Sequence, residues 1–247
     1  MKVDALALKL RPRTYFEAAD LGVRLCQHAY SAVLSCYLAV LAPVTLACML
    51  AAALAPRFSL WALLALWWLK PWLDRPVLFA LSRAAFGQRV RRIDLWRQQR
   101  TVLWGQLLLT LTLRRLSPWR ALTQPVYQLE GQRGRAQARR VRTVRGPRTL
   151  IAGTLTVLFS ITELCLALGL LSLTFWLAPR GYSPNVDELF SSTAAGWAGP
   201  LFVAGYAAVL TLCEPFYVAA GFGMYLNRRV ELEAWDIEQE FRRAFAA

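Results

Sequence analysis

Between Arg83 and Arg148 the chain carries sixteen arginines and no lysine, against only Asp94 and Glu130 on the acidic side. Long uncharged apolar runs flank this stretch on both sides. So basic a segment is costly to move across a bilayer, and the positive-inside tendency keeps it cytoplasmic while the flanking runs loop out and back. The sequence therefore predicts an all-α, polytopic helical membrane protein with about four transmembrane helices plus interfacial amphipathic helices.

Composition agrees. With 57% of 247 residues apolar and ten tryptophans, the chain has more apolar surface than one soluble core needs. The net charge of +14 could suggest nucleic acid, but 16 of the 29 basic residues lie in the one segment between apolar runs. Attraction to anionic lipid head groups accounts for them there, so membrane lipid is expected as a partner and nucleic acid is not. Arg outnumbers Lys 26 to 3, which beside so much Ala and Leu reads as genome composition.

Cys26, Cys36, Cys48, Cys165 and Cys213 fall in or beside apolar runs, at no spacing used by zinc sites or redox dithiols, and read as small core hydrophobes. The first apolar stretch, Ala5 to Leu8, is too short for a signal peptide and is followed by Lys9, Arg11 and Arg13. The first span is expected to be its own insertion signal.

Residues 1–28 form the first unit, a cytoplasmic or interfacial helix. Thr14 and Glu17 have capping-box spacing after Pro12, which starts a helix at Tyr15. That helix is expected to lie at the membrane surface with Phe16, Leu21 and Leu25 on its apolar side. Residues 29–82 form the first transmembrane hairpin. Tyr30 to Pro56 is 27 residues without a charge, enough to cross a hydrocarbon layer of about 30 Å, with a kink near Pro43. From Phe58 to Ser82 the pattern is one broken span, interrupted by Lys70-Pro71 and Asp74-Arg75-Pro76, or else a short apolar helix followed by a surface helix.

Residues 83–148 are the Arg-rich cytoplasmic segment. Within it Thr101 to Leu113 is uncharged, but its 13 residues are too few to cross, and 101–113 is expected to be an interfacial or shallow re-entrant helix. Gln124 to Gly146 reads as a solvated loop or a surface helix on anionic lipid. Residues 149–226 form the second hairpin, with single interruptions at Glu163 and Glu214 and a polar outer turn from Arg180 to Glu188. Small residues such as Ala219, Ala220, Gly221 and Gly223 offer surfaces for close helix contact. Residues 227–247 form a cytoplasmic amphipathic tail, with Val230, Ala234, Ile237, Phe241 and Phe245 along one face.

The run Glu214-Pro215-Phe216-Tyr217-Val218-Ala219-Ala220-Gly221-Phe222-Gly223, followed by Tyr225-Leu226-Asn227-Arg228-Arg229, Leu232-Glu233-Ala234-Trp235-Asp236-Ile237-Glu238 and Phe241-Arg242-Arg243, carries a resemblance. Arg11-Pro12-Arg13, Glu17 to Gly22, Lys70-Pro71 with Asp74-Arg75, Phe86-Gly87, and Pro125-Val126 with Gln128 to Gly131 extend it over most of the chain. It resembles an uncharacterised family of bacterial multi-pass inner-membrane proteins that accompany membrane proteins carrying a transglutaminase-like domain. It is more distantly similar to the membrane domain of some glycerophosphodiester phosphodiesterases, whose catalytic domain is missing here. The resemblance implies the bacterial inner membrane and supplies no catalytic residue.

Glu163 and Glu214 are single charges inside apolar runs, and Lys70 lies about midway along the broken span, at a similar depth. Isolated charges at such depth are expensive, so they are expected to face the bundle interior as one polar cluster. The cluster reads as a structural ion pair or a protonated carboxyl hydrogen-bonded to Ser or Thr, or else as a proton, cation or polar-substrate site; Pro215, which breaks the helix beside Glu214, favours the latter. Arg133, Arg135, Arg139, Arg140, Arg142, Trp235 and Asp236 are the candidate partner and lipid surface. His28 stands alone and reads as an interfacial polar residue. With no G-x-S-x-G, P-loop or H-E-x-x-H pattern, no catalytic, cofactor or metal site is expected. The reading is a non-enzymatic inner-membrane scaffold or accessory subunit, both termini cytoplasmic, that partners a membrane protein or itself. The alternative is a small transporter or channel component using Lys70, Glu163 and Glu214.

Overall fold

The computed structural model describes residues 13–112, 114–146, 149–176 and 198–233, and these form helices with no strand among them. In chain order they are α1 (Tyr15–His28), α2 (Tyr30–Leu54), a 3₁₀ turn (Pro56–Phe58), α3 (Ser59–Trp68), α4 (Lys70–Ala84), α5 (Arg92–Arg97) and α6 (Gln99–Val102). There follow α7 (Leu107–Leu111), α8 (Arg120–Gln128), α9 (Gly134–Arg145), α10 (Thr149–Trp176) and α11 (Ala198–Glu233). Three of them, α2, α10 and α11, are long and apolar enough to cross a membrane.

Helix α11 is the axis of the bundle and packs against α1, α2, α3, α4, α8, α9 and α10. Its small residues make this possible. A Cβ on Gly22 would lie 2.0 Å from the carbonyl oxygen of Ala219, and one on Gly223 would lie 2.1 Å from that of Ala18, so α1 and α11 touch backbone to backbone. Asn227 closes the end of this contact by accepting from Arg13 N at 2.9 Å and donating to Arg13 O at 3.1 Å. Helix α1 thus runs antiparallel along the C-terminal half of α11.

This corrects the face expected for α1. Its start is as expected, with the reciprocal Thr14 and Glu17 bonds both present. The buried side, however, is Tyr15, Ala18, Ala19, Gly22, Leu25 and Cys26, while Phe16 is exposed. Close backbone approach favours the row of small residues over the bulkiest ones. His28 ends the helix, exposed in its last turn.

Helices α3 and α4 are separated by one residue, Leu69, whose N–H still bonds to Ala65 O at 3.0 Å while its own carbonyl accepts from Leu73 N at 3.0 Å. The cause of the break is Pro71, which has no N–H to offer the carbonyl of Trp67 four residues back. Arg115 donates to that carbonyl instead, at 3.0 Å, and its guanidinium stacks 4.0 Å from the centre of the Trp67 ring. An arginine of the basic segment therefore repairs a break in the preceding hairpin.

The basic segment is more closely folded onto the bundle than its charge suggests. The described part of the run expected as one helix, residues 101–112, is broken: α6 ends at Val102, Gln106 takes the left-handed conformation at φ 52°, and α7 begins at Leu107. What holds this stretch is Arg75, which donates to the carbonyls of Val102 at 3.2 Å and Leu103 at 2.8 Å and to Thr110 Oγ1 at 2.5 Å. Irregular backbone needs such donors, and a buried arginine fork supplies several at once. Nor is residue 124 the start of a solvated loop, because α8 is buried from Arg120 to Val126 and Gly221 of α11 abuts Ala121. Only α9 has the exposed, arginine-studded character expected of that region.

Candidate functional site

Lys70, Glu163 and Glu214 meet. Lys70 opens α4, Glu163 lies midway along α10 and Glu214 lies in α11 beside Pro215. The Lys70 ammonium forms an ion pair with Glu163 and lies 2.5 Å from Glu214 Oε1. Glu163 also accepts from the hydroxyl of Tyr206 at 2.6 Å.

Two further charges join them. Asp74 lies one turn after Lys70 on α4, and Arg120 opens α8; Arg120 Nε is 3.2 Å from Asp74 Oδ2, and its NH2 is 3.7 Å from Glu214 Oε2. Arg120 and Asp74 meet as charges side by side rather than along a bond, and the hydrogen-bond partner of Asp74 is the Glu214 carboxyl. All five residues are at most 9% exposed. One network therefore clamps α4, α8, α10 and α11 together.

Three carboxyl groups face two cations here, but Asp74 and Glu214 also hydrogen-bond to one another, which places one proton between the pair and brings the charges into balance. Burying ions costs several kcal/mol each after relaxation, and mutual attraction offsets that only where partners are complete. Among the described residues no group of three His, Cys, Asp or Glu side chains gathers as metal ligands would. The polar site is built from salt bridges rather than from a ligand cage.

Beside the network lies a cavity of about 850 Å³, walled by α3, α10, α11 and the Arg115–Pro118 turn. Lys70, Glu163 and Glu214 form part of its wall, and Trp67, Leu168, Phe202 and Tyr206 are among the apolar and aromatic residues lining it. A mostly apolar pocket with a few convergent polar groups at one end is the usual form of a small-molecule site.

The surface candidates separate. Arg133, Arg135, Arg139 and Arg142 are exposed on or at the start of α9. Arg140 points the other way: its Nε lies 2.8 Å from Glu130 Oε2, and it forms an ion pair with Glu233 of α11. The bond to Glu130 holds its guanidinium above the usual arginine range. Tyr225 donates to the same Glu130 at 2.8 Å, and Arg228 donates to the carbonyl of Thr143 at 3.4 Å. Trp235 and Asp236, with the rest of the expected amphipathic tail, lie outside the described residues.

An all-helical bundle with three helices able to cross a bilayer defines a multi-pass membrane protein. No family model, curated protein or solved structure matches this chain.

Proposed function

We propose that the protein is a non-enzymatic subunit of the bacterial inner membrane with four spans and cytoplasmic termini, which holds a basic platform toward protein partners and anionic lipid. The spans in this reading are α2, the broken α3–α4 pair, α10 and α11, an even number that leaves the arginine-rich segment on the side of both ends. The observation that carries it is the fixation of α9. Arg140 and Arg228 tie that helix to α11, while Arg133, Arg135, Arg139 and Arg142 are left exposed. A fixed row of arginines suits recognition of carboxylates and phosphates better than a loose tail does. The family resemblance supplies the candidate partner, a membrane protein with a transglutaminase-like domain.

A photo-crosslinking residue at Arg139, in intact cells, tests this. The expected result is one discrete adduct with a membrane protein or with lipid, lost when Arg133, Arg135 and Arg142 are changed to Glu. A site that yields no adduct from the membrane would overturn the reading.

A second reading, a small transporter component, draws on the cavity wall that contains Lys70, Glu163 and Glu214. Its test is whether the charge-neutral triple variant, once folded, keeps wild-type behaviour in cells.

A further inference from the structure

We propose that the cavity between α3, α10 and α11 is a binding site for a membrane amphiphile with an anionic head group, the head held by Arg115 and one aliphatic chain lying along α10 and α11. Two independent observations converge on this, one from the charges and one from the shape.

Arg115 lines the cavity and is 8% exposed, yet among the described residues it forms no ion pair. Its guanidinium donates to the neutral carbonyl of Trp67 and stacks on that ring, and its Nε has no partner among the described residues. The carboxylates on the same wall are already engaged, Glu163 by Lys70 and Tyr206, Glu214 by Lys70 and Arg120. A guanidinium removed from water with donors to spare is satisfied by a phosphate or carboxylate oxygen, to which its planar fork is matched. Ser117 stands on the next turn of the wall as a further donor.

Away from Arg115 the wall changes character. Leu164, Leu168, Leu171, Leu201 and Phe202 continue the cavity along α10 and α11. Gly205 widens it, since a Cβ there would meet nothing closer than Leu170 Cδ1 at 3.9 Å. A volume of about 850 Å³ exceeds what an inorganic anion needs and suits a chain-bearing molecule. The outer faces of α10 are apolar and unpacked, so such a molecule enters sideways from the bilayer without crossing water.

The test uses the full-length protein in nanodiscs and a phosphatidylglycerol probe with a photoreactive group in its acyl chain, with adducts mapped by peptide mass spectrometry. Adducts are expected on residues 164–171 and 201–206, competed by unlabelled phosphatidylglycerol and not by phosphatidylcholine or by glycerol phosphate. Arg115→Gln is expected to cut labelling about tenfold, the loss of a charge-assisted bond. Gly205→Leu, which fills the groove and leaves Arg115 in place, is expected to do the same. Equal labelling by a phosphatidylcholine probe overturns the role of the anionic head, and full competition by glycerol phosphate overturns that of the chain. Should Arg115→Gln fail to fold, Gly205→Leu decides alone, and unchanged labelling in that variant overturns the site.

Discussion

Lys70 and Glu214 sit 2.5 Å apart across the α4–α11 interface, and because Lys70 also holds Glu163, one ammonium serves two carboxylates from two other helices. The carboxylates are not equivalent. Glu214 has Arg120 as a second cation at 3.7 Å, whereas among the described residues Glu163 has only the Tyr206 hydroxyl besides Lys70.

That asymmetry sets the first prediction. Lys70→Met is expected to destabilise the folded protein by about 3–5 kcal/mol, since it strands buried carboxylates. Adding Glu163→Gln should recover more of the loss than adding Glu214→Gln, because Glu214 keeps Arg120. Thermal unfolding in detergent measures this; losses that simply add, with no recovery from either second change, would show that the groups are not coupled.

The contact of α1 with α11 supplies the second. At Gly22 any side chain meets the backbone of Ala219, so Gly22→Val is expected to cost at least about 1–3 kcal/mol and to free α1 for proteolysis while the spans persist. Gly87→Ala, at φ 67° with nothing within 4 Å, strains only a surface turn and should leave α1 protected. Limited proteolysis of the two variants side by side distinguishes these outcomes.

Thiol chemistry gives a third. Cys26 is fully buried on the inner face of α1, and burial pushes its thiol up to about 11. The reactive thiolate is therefore scarce through neutral pH, and an impermeant maleimide should not label Cys26 in the native protein at pH 7. Gly22→Val should expose it. Rapid labelling of native wild type would contradict the packing described for α1.

The platform supplies a fourth. Changing Arg133, Arg135, Arg139 and Arg142 to Glu should weaken flotation of the purified protein with anionic vesicles by about 1 kcal/mol for each charge removed near the surface. Folding should be unaffected, since none of the four holds α9. Arg140→Ala should do the reverse, loosening α9 by removing the cation that bridges Glu130 and Glu233, even though Glu233 keeps Arg229 and Glu130 keeps the Tyr225 hydroxyl, and hydrogen exchange over residues 134–145 reports it.

Topology is the fifth. In a cysteine-free background, a cysteine at Ser183 should react with an impermeant reagent from outside, and one at Arg133 only from inside. Labelling of both from one side would remove the four-span reading.

How far the residues themselves announced this arrangement depends on how singular each one is. Glu163 and Glu214 were legible because each is the lone charge of an apolar stretch, and Lys70 because it falls midway along a broken one, where the cost of burial drives such groups together. Arg120 and Arg115 were not legible, because they are two of sixteen arginines in a segment whose bulk charge argues for solvent. Asp74 carried a usable signal: it falls one helical turn after Lys70, on the same face, and a carboxylate there asks for a cation from elsewhere. The uncharged run 101–113 misled for a local reason, since length and apolarity suggest one helix, whereas Arg75 makes it easier to satisfy a broken backbone than to continue it. For α1, hydrophobicity pointed to Phe16, while the decisive property was smallness at Ala18 and Gly22.

Helix α11 spans 36 residues, about 54 Å at 1.5 Å per residue, and reaches from the apolar cavity wall to the Glu233–Arg140 tether. Pro215 deprives the carbonyl of Thr211 of its donor, so the rod bends most easily immediately beyond Glu214. That pivot is the very point gripped by Lys70 and Arg120. The helix is thus held by charge on both sides of its weakest backbone position, at Glu214 and again about 27 Å further on at Glu233.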